Sequence, residues 1–171
     1  MELMNLDDIA NASLCVLDTN ILLYAEQGYS HQAQRLLRRC STGELTSVLP
    51  QTVWHELTHR LMLAEAEMLG KVSGTNAARK LARQPEVIRS LGLYKDKIKA
   101  LVNLGLGYEP CMSEDFFDSA FHFQEKYGLL TNDSVVLATA VRIGADVLVT
   151  ADAVFRKITE LSIAMPSDIH L

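Results

Sequence analysis

Leu14-Cys15-Val16-Leu17 is an unbroken apolar run of four that stops at Asp18-Thr19-Asn20. A strand with one face in water alternates apolar and polar side chains. One covered on both faces reads as a continuous hydrophobic run, the mark of a parallel sheet. Val147-Leu148-Val149 has the same character, and residues 45–49, 161–165 and part of 105–112 read as further short strands. Helical stretches separate them. Residues 21–25 form a turn or two that breaks at Gly28, and residues 31–40 place Ala33, Leu36 and Leu37 on one face. Pro50 suits the first turn of a helix over 51–69, whose stripe is Trp54, Leu57, Leu61, Ala64 and Met68. Thr75 is placed to cap a second long helical region that reaches about residue 104, with breaks at Gln84-Pro85 and Leu91-Gly92. Ser113 is read as the cap of a helix running through 121–127. Residues 132–143 are helical up to Gly144, and 152–158 form a short helix. Strands alternating with helices predict an α/β chain, a mainly parallel sheet with helices on both faces.

At 171 residues the chain suits one domain, spanning 1–171, with the helical hairpin of about 62–104 as an insertion within it. Only 22% of residues are charged, an ordinary globular share. The start, Met1 to Asp8, is acidic and has no basic leader. No run of about 18 apolar residues follows anywhere, which excludes an ordinary membrane helix. Cys15, Cys40 and Cys111 are odd in number and scattered, which fits a reducing cytoplasm better than a disulfide framework. The net charge of -5 argues against a protein that coats nucleic acid with its whole surface. Residues 60–99 nevertheless hold nine Lys/Arg against four acids. Arg79, Lys80, Arg83, Lys95, Lys97 and Lys99 in that stretch could steer a polyanion, or simply form solvated helix faces.

Reactive groups in parallel sheets collect at the carboxyl ends of strands and at the helix N-termini that follow. Asp18 ends one strand, Asp152 lies just beyond another, Asp133 opens a helix, and Glu56 is in the second turn of the helix after 45–49. Each alone reads equally well as a helix cap or a surface acid. Gathered in one crevice, they would resist full ionisation unless a cation neutralised them, and an oxygen-only set suits Mg²⁺ or Mn²⁺.

The sequence around these acids resembles that of PIN-domain nucleases. Val16-Leu17-Asp18-Thr19-Asn20-Ile21-Leu22 is similar to their opening Asp-x-Asn, and Trp54-His55-Glu56-Leu57 to their glutamate after the second strand. Asn132-Asp133-Ser134-Val135-Val136-Leu137-Ala138-Thr139-Ala140 resembles their Asp-Ala-x-Ile-Ala-Ala-Thr-Ala helix start, and Leu148-Val149-Thr150-Ala151-Asp152 their closing Thr-x-Asp/Asn. The resemblance implies a PIN-like three-layer α/β/α sandwich and Mg²⁺- or Mn²⁺-dependent RNA hydrolysis. Asp18, Glu56, Asp133 and Asp152 would bind metal, with Asn20 and Thr150 supporting the site. It also implies the VapC type: a homodimeric toxin held by a cognate antitoxin, with RNA as substrate and no membrane. The long 62–104 hairpin departs from compact members, as does Ser134-Val135-Val136-Leu137 in place of an alanine-rich core.

His55-Glu56-Leu57-Thr58-His59 also matches H-E-x-x-H, in which two histidines one turn apart hold Zn²⁺ and the glutamate activates water. That reading needs a third ligand, for which Glu86 is a candidate, and leaves Asp18, Asp133 and Asp152 without a role. A PIN-like domain that has lost catalysis and serves as a binding module is the third expectation.

Overall fold

The computed structural model describes residues 4–169, so Met1, Glu2 and Leu3 of the acidic start lie outside the described residues. Six strands form one sheet: β1 (Met4–Asn5), β2 (Leu14–Leu17), β3 (Thr46–Pro50), β4 (Gly107–Glu109), β5 (Val147–Val149) and β6 (Ser162–Met165). Their order is β1-β6-β5-β2-β3-β4, and every pairing is parallel. The central run in β2 is buried from Cys15 to Leu17, and all of β5 is buried, as continuous apolar strands require. From β2 the chain proceeds outward through β3 to β4, then crosses back to β5 and β6. The order therefore reverses between β2 and β5, where an open α/β sheet leaves a crevice at its carboxyl edge.

Among the described residues, eight α-helices flank the sheet: α1 (Thr19–Gln27), α2 (His31–Ser41), α3 (Gln51–Met68), α4 (Ala77–Leu81), α5 (Pro85–Ser90), α6 (Leu93–Asn103), α7 (Ala120–Tyr127) and α8 (Thr131–Arg142). Leu17, Ile21, Leu49, Leu57, Leu137 and Leu148 interlock in the core and are at most 1% exposed. The α/β sandwich expected from the alternation is present. The return arm of the hairpin is three short helices, divided at the Gln84-Pro85 and Leu91-Gly92 breaks. Pro85 stands at the first position of α5, where its missing N–H costs nothing.

Several local expectations are corrected. β1 went unread because two residues are too few to carry a period. Asn76 precedes α4 with φ 62°, so Thr75 is not its cap. Ser113 lies inside a helix whose next five residues, Asp115–Ser119, are wound as a π-helix. Its hydroxyl donates to the Glu114 carboxylate. The stripe of α3 holds at Trp54, Leu57 and Leu61 but not in its last turns. There Ala64 and Met68 are exposed, while Glu65 is buried.

The buried glutamate has a clear cause. Its Oε1 accepts the N–H groups of Gly92 and Leu93 at 2.9 and 3.0 Å, and its Oε2 that of Tyr94 at 2.8 Å. Those are free donors at the start of α6, where a negative charge also complements the helix dipole. Burial alone would raise the carboxyl's pKa. The three N–H bonds overcome it and hold the group below its usual range. Glu65 thus docks α6 against α3.

Candidate metal and nuclease site

Asp18 is the N-cap of α1, and its Oδ1 accepts the Thr19 N–H at 2.7 Å. Its backbone N–H donates to the Val149 carbonyl at 3.0 Å, which continues the β2–β5 ladder one residue beyond the strands. The buried Thr150 hydroxyl donates to Asp18 Oδ2 at 2.7 Å and accepts the Asp152 N–H at 3.0 Å. One threonine thereby ties the acid after β2 to the acid after β5. Asp152 caps the following 3₁₀ turn through Oδ1, which accepts from Val154 N–H at 3.0 Å.

Glu56 approaches from the other side, on α3 after β3. Its Oε2 accepts the Thr19 hydroxyl at 3.3 Å, and Arg60 Nη1 stands 3.5 Å from Oε1, one turn along the same helix. Asp133 lies in the first turn of α8. It lines an open crevice together with Glu56, Asp152, Leu130, Thr131 and Asn132. The helix start and the ends of β2, β3 and β5 therefore share one edge of the sheet.

The charges report that proximity. Burial raises the Asp133 carboxyl to about 6 from 3.8, helped by repulsion from Asp152, Asp18 and Glu56. Asp18 is also raised, first by burial and then by Glu56 and Asp152, against the opposing bonds from Thr150 and Thr19. Asp18 and Asp152 do serve as caps, while Asp133 makes no cap bond among the described residues and Glu56 lies in the second turn of α3, and capping does not place four acids within range of one another's charge. Among the described residues, no three His, Cys, Asp or Glu side chains converge as a ready-made ligand cage. A Mg²⁺-type ion needs no such cage, since it keeps several waters and takes one or two carboxylates. The donor set is oxygen-only and carries uncompensated negative charge, so its chemistry fits a hard divalent ion.

The supporting residues divide. Thr150 does bridge two of the acids. Asn20 instead accepts from Arg60 Nη1 at 3.1 Å and faces a neighbouring cavity. Thr19 and Arg60 were missed as contacts of Glu56. Thr19 sits inside the Asp18-Thr19-Asn20 motif, and Arg60 lies four residues from Glu56 on a helix read from sequence, so both spacings were available. His55 and His59 are exposed on α3, and Glu86 is exposed on α5. No three-ligand zinc group forms from them among the described residues.

The basic side chains are dispersed. Arg79, Lys80 and Arg83 are exposed on and just after α4, and Lys95 and Lys99 are exposed on α6. Lys80 donates to the Ser73 carbonyl at 2.7 Å, and Lys95 Nζ stands 5.6 Å from the Tyr94 ring centre. Lys97 is half-buried and ion-paired with Glu26.

The family model described as PIN domain matches residues 15–161. No curated protein matches the chain. Three solved structures share its fold at low identity. VapBC2 from Rickettsia felis, bound to a DNA fragment from its promoter, is 17% identical with TM-score 0.59, covering 89% of this chain and 98% of that one. A toxin-antitoxin complex from Klebsiella pneumoniae is 18% identical with TM-score 0.59, covering 91% and 99%. VapBC-1 from nontypeable Haemophilus influenzae is 17% identical with TM-score 0.53, covering 88% and 96%. With its family model spanning β2 through the approach to β6, this chain belongs to the PIN domain family.

Proposed function

We propose that the chain is a Mg²⁺- or Mn²⁺-dependent endoribonuclease whose site comprises Asp18, Glu56, Asp133 and Asp152. The observation that carries this reading is the gathering of the four acids at the sheet's reversal point, where burial, reinforced by repulsion from the other three, raises the Asp133 carboxyl to about 6. When bound, such an ion supplies Lewis acidity that lowers the pKa of water and offsets charge on a phosphodiester. The chain's own task is orientation. Thr150 fixes Asp18 relative to Asp152, and Thr19 and Arg60 fix Glu56. Asp18, Glu56, Asp133 and Asp152 would be the ligands. Thr150 supports the site directly and Asn20 supports it through Arg60.

Arg79, Lys80, Arg83, Lys95 and Lys99 form the exposed basic arm that attracts the RNA backbone. Neutralising several should weaken RNA binding and flatten its salt dependence, and an unchanged salt slope would remove the arm from the account. The fold likeness to a toxin-antitoxin complex supports a cognate antitoxin as partner. Phe116 packs edge to face on Phe117 and tilted against Phe121, all three on the surface at 39–63% exposure, and such a patch supports a homodimer. We read 1–171 as one domain with 62–104 as its insertion, and three free cysteines support work in a reducing cytoplasm. No helix among the described residues is long and apolar enough to cross a membrane.

The test is cleavage of a labelled structured RNA in EDTA, Mg²⁺, Mn²⁺ or Zn²⁺, beside Asp18→Asn and His59→Ala. Cleavage that needs Mg²⁺ or Mn²⁺, disappears in Asp18→Asn and survives in His59→Ala is expected. Folded protein that cuts no RNA with any metal would replace this reading with a binding module. Peptide digestion that needs Zn²⁺ and His59 would replace it with a protease.

A further inference from the structure

Asn20 and Arg60 line a second cavity, and Arg60 links it to the acid crevice through its contact with Glu56. It holds about 240 Å³, below the roughly 300–1,000 Å³ of sites for drug-sized ligands, so it suits one small planar group. Its walls are α1, α3 and α6. The third wall belongs to the 62–104 insertion, so this cavity depends on the segment in which the chain departs from compact members. Glu65 keeps that wall in place through its three bonds to the start of α6.

The lining has a particular chemistry. Tyr24 and Tyr94 offer aromatic surface, and Arg60 offers a guanidinium plane. Of the two carboxylates in the wall, Glu65 is fully engaged by backbone N–H groups. Glu26 pairs with Lys97 through Oε1, and its Oε2 accepts no other hydrogen bond among the described residues. Unstacked RNA bases are held by stacking on aromatic and guanidinium groups and by hydrogen bonds to their Watson–Crick edge. A carboxylate oxygen accepts from that edge, and guanine presents two adjacent N–H donors there. Glu56 and Arg60 are separated by about one helical turn, roughly 5.4 Å, and Arg60 touches both Glu56 and Asn20. One nucleotide spans that step.

We propose that this cavity receives one unpaired guanine base of the RNA strand whose phosphate enters the acid crevice. The proposal rests on the nuclease reading for its position along the strand, but the base pocket can be tested without cleavage. Arg60 then faces the connecting phosphate, Glu26 accepts from the base edge, and the two tyrosines cover its faces.

The experiment titrates the full-length protein in EDTA with guanosine 5′-monophosphate, adenosine 5′-monophosphate or ribose 5-phosphate, followed by amide NMR shifts. Ala64→Phe fills the cavity from an exposed position of α3 and removes no existing hydrogen bond. Shifts around Tyr24, Ala64 and Tyr94 are expected, with the guanine nucleotide tighter than ribose 5-phosphate by about five- to hundredfold. Ala64→Phe should abolish that preference, Glu26→Gln should reduce it against adenine, and Asp18→Asn should keep it. Equal binding of all three probes, or an unchanged preference in Ala64→Phe, overturns the pocket. A parallel arm maps RNA cut sites with Mg²⁺. Cleavage with no base preference, the same in Ala64→Phe, removes the pocket and leaves the nuclease. Guanine binding without any RNA cleavage leaves the pocket and removes the nuclease.

Discussion

Two groups of carboxylates in this molecule have opposite surroundings. Glu65, Asp115, Glu160 and Asp168 each face donors. Three backbone N–H groups reach Glu65; Arg142 and the Met112 N–H reach Asp115; Lys126 and Tyr127 reach Glu160; Ser30 and the Gln32 N–H reach Asp168. Asp18, Glu56, Asp133 and Asp152 lie within range of one another's charge, with Thr19, Thr150 and Arg60 holding them in place. The first group docks α6 on α3, clasps the π-helix to α8 and caps α2. In the second group the caps made by Asp18 and Asp152 and the Arg60 partner of Glu56 offset only part of the charge, so that repulsion among the acids persists. An acid beside donors builds the fold; acids beside acids are where the proposed function puts a cation.

The sharpest way to break this comparison is to remove one carboxylate from each group. Asp18→Asn should reduce RNA cleavage by about a thousandfold, with the circular dichroism and melting of the folded protein preserved. Retained cleavage would mean that Asp18 is only a cap. Glu65→Ala should do the reverse and destabilise the protein by about 3 kcal/mol, because the start of α6 loses its acceptors in a buried setting. Denaturant melts measure this directly, and a loss below roughly 0.5 kcal/mol, within the range of an ordinary surface change, would show that α6 docks without it.

Asp133→Asn gives a smaller effect of opposite sign. In metal-free protein Asp133 holds its proton more tightly folded, at about 6, than at its ordinary 3.8. Ionisation therefore opposes folding, and stability falls as pH rises through that interval. Removing the charge should stabilise the EDTA-treated protein at pH 7 by about 1 kcal/mol or less, since the open crevice screens part of the repulsion. At pH 4 the gain should vanish. Destabilisation at pH 7 would place Asp133 with the structural acids.

What the sequence disclosed follows the same division. Continuous apolar runs exposed the central strands β2 and β5, because burial on both faces writes itself into consecutive residues. The four acids were legible because each follows a strand or opens a helix, and local order in the chain becomes proximity at the sheet edge. Glu65 was illegible because its partners lie 27 to 29 residues away and are backbone groups, which leave no side-chain signature. For the same reason α3 seemed to continue its apolar stripe through Ala64 and Met68, when its last turns close over α6's capped start instead. The π-helix at Asp115–Ser119 was equally hidden. Asp115 there is 1% exposed, and its Arg142 partner comes from the far end of α8.

Glu160 gives the most discriminating contrast with Asp133. Burial would raise its carboxyl, but Lys126 and the Tyr127 hydroxyl at 2.7 Å outweigh that and draw it down to about 2, from 4.5. Its proton is therefore held less tightly in the folded chain. The stabilisation is complete above about pH 4.5 and disappears as pH falls toward 2. Glu160→Gln should cost about 1 kcal/mol at pH 7, the upper range for a pair whose lysine is well exposed, and almost nothing near pH 2. The two melting profiles against pH, for Glu160→Gln and Asp133→Asn, should thus diverge from wild type in opposite directions as pH rises. If both variants lose stability together at pH 7, the acid crevice is not the locus of uncompensated charge, and its electrostatics give a cation no reason to bind there.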